Sequence, residues 1–347
     1  MGVTPLDALR ARLAEADTVV PVGARTQWEI GGAVHAVAPV EVRGPIGVVS
    51  YVPADMTVTV GAGTSCRDLE AVLAEELQEC PLDPRDPAAT VGGVLAAGVS
   101  GTRRLRLGPL RDHVLEVRFV IGDGRVIRGG GPTVKNVTGY DLPRLLVGSL
   151  GTLGVLTQVT VRTAPIAETS GWHVTELSPT ELRARLLRPS CLAWDGRRTH
   201  VLLEGNRADV VAQAVDHGLD PTSGGPAWPE GPHRGRISVP STRLEPLASR
   251  LRDLECSWIA EGGVGTVHVA ADHETGLAAA RAAAEAEQGW LLREAGAPGL
   301  DPFGITPANL AIMQRVKDAF DPAGKVNPGR LPLTRAVGRI SSAEPGT

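Results

Sequence analysis

Three glycine-rich segments most constrain what this chain can fold into, because each sits where a strand hands over to a helix or a turn. They are Pro21-Val22-Gly23-Ala24-Arg25-Thr26, the run from Pro87 to Gly101 (PAATVGGVLAAGVSG), and Gly148-Ser149-Leu150-Gly151-Thr152-Leu153-Gly154. Glycine permits positive φ and lacks the side chain that would hold a ligand away from the backbone. Consecutive N–H groups can then converge on an anion without help from lysine or arginine. Small neighbours such as Ala96, Ala97 and Ser100 let a flat ring system lie directly on the main chain. One such loop alone reads as a turn; three in series make a cradle. Two familiar phosphate sites are excluded. There is no GxxxxGK(S/T), and no GxGxxG follows a strand with an acidic residue about 20 positions on. A dinucleotide would have to be held in some other way.

The segments between these loops alternate strand and helix. Met56 to Val60 reads as a strand, and Ser65 caps the helix that follows, with Asp68 placed for a box-like return contact. Leu69, Val72, Leu73 and Leu77 fall on one face of that helix at spacings of three and four. Val114 to Ile121, the turn Gly122-Asp123-Gly124 and Arg125 to Arg128 read as a hairpin, and Leu153 to Val161 as a further strand. Beyond Pro165 the glycine motifs thin out. A proline-rich stretch from Pro221 to Pro232 follows, then an alanine-rich helix from Leu277 to Glu287. A last helix is expected to begin at Thr306-Pro307, to present Leu310, Met313, Val316 and Phe320, and to stop at Asp321-Pro322-Ala323-Gly324. The architecture is mixed α and β.

Composition narrows the function. A net charge of −4 offers no broad basic face for nucleic acid, and 3% aromatic residues offer no stacking platform. No segment approaches the roughly 20 apolar residues that span a bilayer. The first 17 residues read as an amphipathic helix carrying Leu6, Leu9 and Leu13, without the features of an export signal. A cytoplasmic protein is expected. Cys66, Cys80, Cys191 and Cys256 form no CxxC pair, which argues against a metal cluster and for thiols buried as small apolar groups.

The order PVGxxT, TVGGxxAAGxSG and KNVTGYDLPRLLVGSLGTLGVLTQVTV, running from Lys135 to Val161, resembles the flavin proteins of the vanillyl-alcohol oxidase (PCMH) type. More narrowly it is similar to the FAD-binding subunits of bacterial glycolate oxidases. A late signature, Val316-Lys317 through Phe320-Asp321-Pro322 to Asn327-Pro328-Gly329-Arg330-Leu331, fits the same class. All three lysines (Lys135, Lys317 and Lys325) lie in or beside these motifs, among 35 basic residues in all.

The resemblance implies an α+β fold: a two-lobed FAD-binding domain over 1–165, a smaller α/β cap over 166–304, a returning C-terminal segment over 305–331 and a tail over 332–347. It implies FAD contacts from Val22, Gly23, Ala24, Arg25, Thr26 and Gln27. A second set comprises Pro87, Ala88, Ala89, Thr90, Gly92, Gly93, Ala97, Gly98, Val99 and Ser100. A third comprises Gly151, Thr152, Leu153, Gly154, Val155 and Leu156, and Asn327 is brought in from the C-terminal segment. It implies a complex with a larger flavin subunit and an iron–sulfur subunit, acting on a small 2-hydroxy acid. The location would be cytoplasmic, at most peripheral to the inner membrane through those partners.

Departures from the pattern refine this. Relatives that attach flavin covalently use a histidine in the first loop; none is present here, so FAD is expected to bind non-covalently. Ala24 and Arg25 replace further glycines, and Arg25 reads equally as a phosphate ligand or a solvated surface charge. Relatives with a paired-histidine metal motif differ from the stretch Gly262 to His268, where His268 alone cannot hold a metal and reads as a strand residue. Arg104, Arg106 and Arg111 are candidates for a substrate carboxylate or a solvated patch, with His113 nearby, and no catalytic base is identified. The readings in play are a relay subunit, an independent 2-hydroxy acid dehydrogenase, and a fold relic without FAD.

Overall fold

In a computed structural model the described residues are 4–36, 38–131 and 140–333. Lys135 and the rest of the KNVTG motif, and the tail from residue 334 on, lie outside them. The fold is α+β, with two antiparallel sheets as its bodies. The first has five strands in the order Val48–Val52, Thr57–Gly61, Val155–Arg162, Val114–Val120 and Val126–Gly130. The second has eight, in the order Asp220–Thr222, Thr169–Thr175, Thr199–Gly205, Cys191–Trp194, Ser257–Glu261, Thr266–Ala271, His233–Ser238 and Trp290–Ala295. A small parallel pair joins Val19–Pro21 to Val40–Val42.

Side-chain alternation places the cores. Val58, Val60, Val117, Phe119, Val159 and Val161 turn to one side of the five-stranded sheet and pack with Leu69, Leu73, Val94 and Leu95 from two helices. Burying side chains of this size contributes about 1.5–3 kcal/mol each. In the eight-stranded sheet Ile237, Val267, Val269 and Leu291 pack under the helices Leu244–Leu251 and Glu274–Ala286. The intervening residues of those strands therefore face the other way.

The helix α1 (Pro5–Glu15) is capped by Thr4 and buries Leu9 and Leu13. The helix α2 (Cys66–Ala74) is capped by Ser65, whose hydroxyl accepts from Asp68 N, so only half of the expected box forms. Leu77 does not share its buried face. The helix ends at Ala74, and Leu77 adopts φ 54° at 75% exposure. The last helix, Leu310–Phe320, begins three residues later than Pro307 suggested, because Asn309 at ψ 16° opens it without a side-chain cap. Val316 and Phe320 pack on the first core as expected, Phe320 tilted against Phe119 at 5.8 Å. Cys66, Cys80 and Cys191 are buried free thiols and Cys256 is half-buried. Desolvation pushes the Cys80 thiol up to about 12. Among the described residues no helix is long and apolar enough to cross a membrane, and no cluster of three metal-ligating side chains occurs.

Candidate functional site

The three glycine-rich segments meet. The strand Val19–Pro21 continues into the first loop, held by Val22 N donating to Val42 O at 2.9 Å. The second segment becomes α3 (Val91–Ala97), started by the Thr90 hydroxyl, which accepts from Gly93 N at 3.1 Å. Gly98 ends it in the left-handed region at φ 67°, the usual helix stop for glycine. The third segment then docks on the end of α3. Gly148 N donates to Leu95 O and Leu150 N to Ala96 O, at 2.9 and 2.8 Å.

Close backbone approach explains the small residues. A methyl group on Gly23 would stand 2.3 Å from Thr90 Oγ1, and one on Gly44 2.8 Å from Leu156 O. What remains between the segments is a cleft of two adjoining hollows, about 570 and 510 Å³ counting solvent at their mouths. Both are bordered by Pro21, Gly23, Thr90, Gly93, Ala96 and Leu150.

Of the residues singled out from the sequence, Val22, Gly23, Ala24, Arg25, Thr26 and Gln27 all border the cleft, as do Thr90, Gly92, Gly93 and Ala97. So do Gly151, Gly154, Val155, Leu156 and Asn327. The others stand behind this wall. Pro87 and Ala89 give their carbonyls to the first turn of α2, while Ala88 N is held by Asp86. Val99 is buried against Ile30 and Leu292, Gly98 serves the helix stop, and Ser100 follows outside the cleft. Leu153 is buried in the core, and Thr152 turns its hydroxyl to Ser149 O and gives its own carbonyl to Lys317. Pattern matching had no means of separating lining from supporting positions in these motifs.

The C-terminal segment closes the cleft's far side. Asn327 Nδ2 donates to Leu150 O at 2.6 Å, and its backbone N donates to Val19 O at 2.8 Å. Its Oδ1 is buried and has no hydrogen-bond partner. Lys317 is buried and donates to Thr152 O, Val326 O and Asp321 Oδ2 at 2.6, 2.7 and 2.5 Å. Burial lowers its pKa, against the pull of Asp321. Lys325 donates to Leu13 O at 2.6 Å. Both described lysines of the late motif therefore fasten backbone.

Arg25 borders the cleft, yet it pairs with Glu41 and lies 5.1 Å over the Trp28 ring. Arg330 packs on the same ring, also at 5.1 Å, and donates to the carbonyls of Trp28, Ile30 and Gly32. Trp28, Arg330, Gly44, Ala62 and Gly63 border the cleft too, and sequence reasoning missed them as site residues. The available signal was the late NPGR motif for Arg330 and the GAG turn at 61–63 for the glycine-alanine wall.

The arginine cluster after the second loop lies elsewhere. Arg106 donates to Glu204 O, and Arg111 is exposed beside Asp112 at 3.8 Å. His113 Nε2 lies 2.7 Å from Leu107 O, so the ring caps the short helix α4 (Arg104–Leu107). Arg103, not singled out from the sequence, makes the strongest contacts of this region, with Glu79 at 2.7 Å, Asp83 at 3.1 Å and Glu204 at 3.6 Å. It ties the five-stranded body to the eight-stranded sheet.

Comparisons with known proteins give the family. Residues 6–130 match the family model described as FAD binding domain. The chain is 31% identical over 309 residues to glycolate oxidase subunit GlcE of Escherichia coli (strain K12), covering 84% of this chain and 86% of that one. It is 43% identical over 115 residues to a D-lactate dehydrogenase of Archaeoglobus fulgidus, a match that takes in only 33% of this chain and 26% of that protein. In fold it is similar to alkyldihydroxyacetonephosphate synthase, with a TM-score of 0.67 at 14% identity over 92% of this chain and 74% of that one. The FAD-binding match takes in the first two glycine-rich segments, while the likeness to GlcE extends over 84% of the chain. This protein therefore belongs to the GlcE-like family of FAD-binding oxidoreductase subunits of the glycolate oxidase type.

Proposed function

We propose that this chain holds FAD non-covalently as one subunit of a glycolate (2-hydroxy acid) dehydrogenase or oxidase complex, and that it passes electrons to partner subunits. The observation that carries this reading is the cleft walled by backbone and small residues. A cradle in which glycine and alanine keep much of the wall close to the backbone suits a long, flat, doubly phosphorylated ligand. Main-chain N–H groups would meet the phosphates. Asn327, 4% exposed with Oδ1 unpartnered, suits a donor on the bound group.

In this reading the lining residues Val22 to Gln27, Thr90, Gly92, Gly93, Ala96, Ala97, Gly151, Gly154 to Leu156 and Asn327 contact the cofactor. Pro87 to Ala89, Gly98 to Ser100, Thr152 and Leu153 hold that wall in place. Bound there, the flavin would supply the redox chemistry, while the protein binds and orients it. No His, Cys or Tyr borders the cleft among the described residues, which supports non-covalent attachment.

The five-stranded body with the C-terminal return forms the FAD domain in this proposal, with boundaries near 165 and 305, and the eight-stranded sheet forms the cap. The partners are a larger flavin subunit and an iron–sulfur subunit, and the complex resides in the cytoplasm or at the inner face of the membrane. The glycine- and alanine-rich lining speaks against a relic without cofactor.

The test is the visible spectrum of the purified chain before and after acid precipitation, followed by glycolate without oxygen. A flavin spectrum that moves to the supernatant supports non-covalent FAD. A spectrum that stays oxidised with glycolate until partner subunits are added supports the relay. No flavin after supplying FAD would overturn the proposal, and colour retained in the pellet would overturn its non-covalent part.

A further inference from the structure

The five-stranded sheet has a corner that the cleft does not use. The strand Val155–Arg162 starts at the cleft, where Val155 stands, and ends at this corner. At roughly 3.3 Å per residue the two ends lie about 23 Å apart. Three chain segments meet there. The hairpin turn at 53–56 gives the Met56 carbonyl to Thr163 N at 2.8 Å, and the turn after α2 gives the Leu77 carbonyl to Ile166 N at 2.9 Å. Gln78 ties them together. Its Nε2 donates to Pro53 O at 2.9 Å, and its Oε1 accepts from the Thr163 hydroxyl.

What these segments hold out to solvent is apolar. Leu77 is 75% exposed, Ile166 46%, and Met56 and Val52 41% each. Met56 and Leu77 also sit at φ 52° and 54°, in the left-handed region. A residue with a Cβ is disfavoured there, and glycine would adopt the same backbone without that cost. Packing gives no reason for long apolar side chains at two positions that are both strained and exposed. Backbone strain held at such a place points to a use for the side chain.

Each apolar tip has acid beside it. Asp55 precedes Met56, Glu75 and Glu76 precede Leu77, and Glu168 follows Ile166 by two residues, all four exposed. Arg207 approaches Glu168 at 4.0 Å, and the half-buried Arg162 lies opposite Thr57. Asp55, Glu75 and Glu76 have no ion pair among the described residues. Four carboxylates against two guanidiniums leave the rim negative. A second copy of the chain, set on this corner across a twofold axis, would bring acid against acid. An anionic lipid surface would meet the same repulsion.

We infer that this corner is a docking surface for a protein partner that presents an apolar centre ringed by lysine or arginine. Leu77, Met56 and Ile166 enter that centre. The carboxylates meet the basic rim, which sets orientation and association rate more than affinity. Docking here leaves the cleft open, since the two lie at opposite ends of the sheet. The inference rests on the reading of this chain as one subunit of a complex, and its partner is sought among the other subunits.

The larger flavin subunit and the iron–sulfur subunit are each passed over the immobilised full chain, and binding rates are followed from low to high salt. Leu77→Gly and Met56→Gly relieve the left-handed strain, so the thermal midpoint of the chain should hold or rise. Affinity for one of the two subunits should nevertheless fall about tenfold or more in Leu77→Gly, the worth of one buried leucine side chain. Asp55→Lys combined with Glu75→Lys should slow association and remove its salt dependence. FAD content should not change, because none of these residues borders the cleft. Unaltered affinity in both glycine variants would overturn the surface and leave the complex reading standing. A thermal midpoint that falls along with affinity would overturn it too, because the tips would then serve the fold. Self-association of the chain that Leu77→Gly abolishes would replace the partner by a second copy. Binding to phosphatidylglycerol vesicles that the same variant abolishes would replace it by a membrane. If neither subunit binds the unaltered chain, the complex reading falls and takes this surface with it.

Discussion

Gly23→Ala probes the contact on which the cleft is built. The added methyl would stand 2.3 Å from Thr90 Oγ1, while Thr90 Cβ and Cγ2 lie at 3.5 Å, an ordinary contact distance. Only the hydroxyl is in the way. It can leave by rotating about χ1, but it then releases Gly93 N, which it holds at 3.1 Å, and α3 loses its cap. A lost threonine cap costs about 1 kcal/mol, and residual overpacking adds roughly 1 kcal/mol or more. Gly23→Ala should therefore destabilise the flavin-free chain by about 2 kcal/mol, and Thr90→Ala by about 1 kcal/mol. In the double variant the obstructing atom is gone, so the total should stay near that of Thr90→Ala alone. The coupling is then about 2 kcal/mol, inside the range seen for residues in contact. Urea midpoints at constant slope give the four stabilities, and FAD fluorescence quenching gives the affinities. FAD affinity should fall in both single variants, since Gly93 borders both hollows. Additive stability losses would refute the reasoning, because they would mean that Gly23 and Thr90 act through different contacts.

Other outcomes follow from the same geometry. Lys317→Met leaves the Asp321 carboxylate, 1% exposed, without its cation and strips a donor from Thr152 O; a loss of roughly 3–5 kcal/mol is expected. Lys317→Met combined with Asp321→Leu should recover part of it in urea melts. Arg103→Met gathers three carboxylates around an apolar side chain that replaces a cation only 15% exposed, and should cost roughly 3 kcal/mol, with Arg103→Lys costing less. Burial lowers the His113 pKa, outweighing the raising effect of its contact with Leu107 O. Its neutral form is thus favoured by folding: the contribution is full above the unfolded value near 6.5 and is lost as pH falls through the lower folded value. His113→Gln should flatten part of the stability profile over that acidic window, and only part, because burial lowers His200 in the same direction.

Much of the site was legible because its chemistry is backbone chemistry. Where main chain must approach main chain, the sequence has to show glycine or alanine, and it does so at Gly23, Gly92, Gly93, Ala96, Ala97, Gly151 and Gly154. Strands betray themselves by alternation, so the hairpin from Val114 and the strand ending at Val161 were read within a residue or two. Helix ends were read less well. The early stop before Leu77 and the late start at Leu310 depend on local dihedrals that no spacing records.

Glycine spacing alone pointed to a cradle rich in small residues, to its three contributing segments and to the family they resemble. Which residue within each motif faces the cradle was decided only by the tertiary structure. Thr152 and Leu153 share a motif with Gly151 and Gly154 but turn inward, toward Lys317 and the core. The same holds for groups that act across long chain separations. Arg330 grips the carbonyls of Trp28, Ile30 and Gly32, and Arg103 reaches Glu204. A charge carries no local imprint of its partner. Periodicity and glycine content report what a residue's own backbone must do, whereas pairing across a hundred residues or more arises only when the sheets are packed.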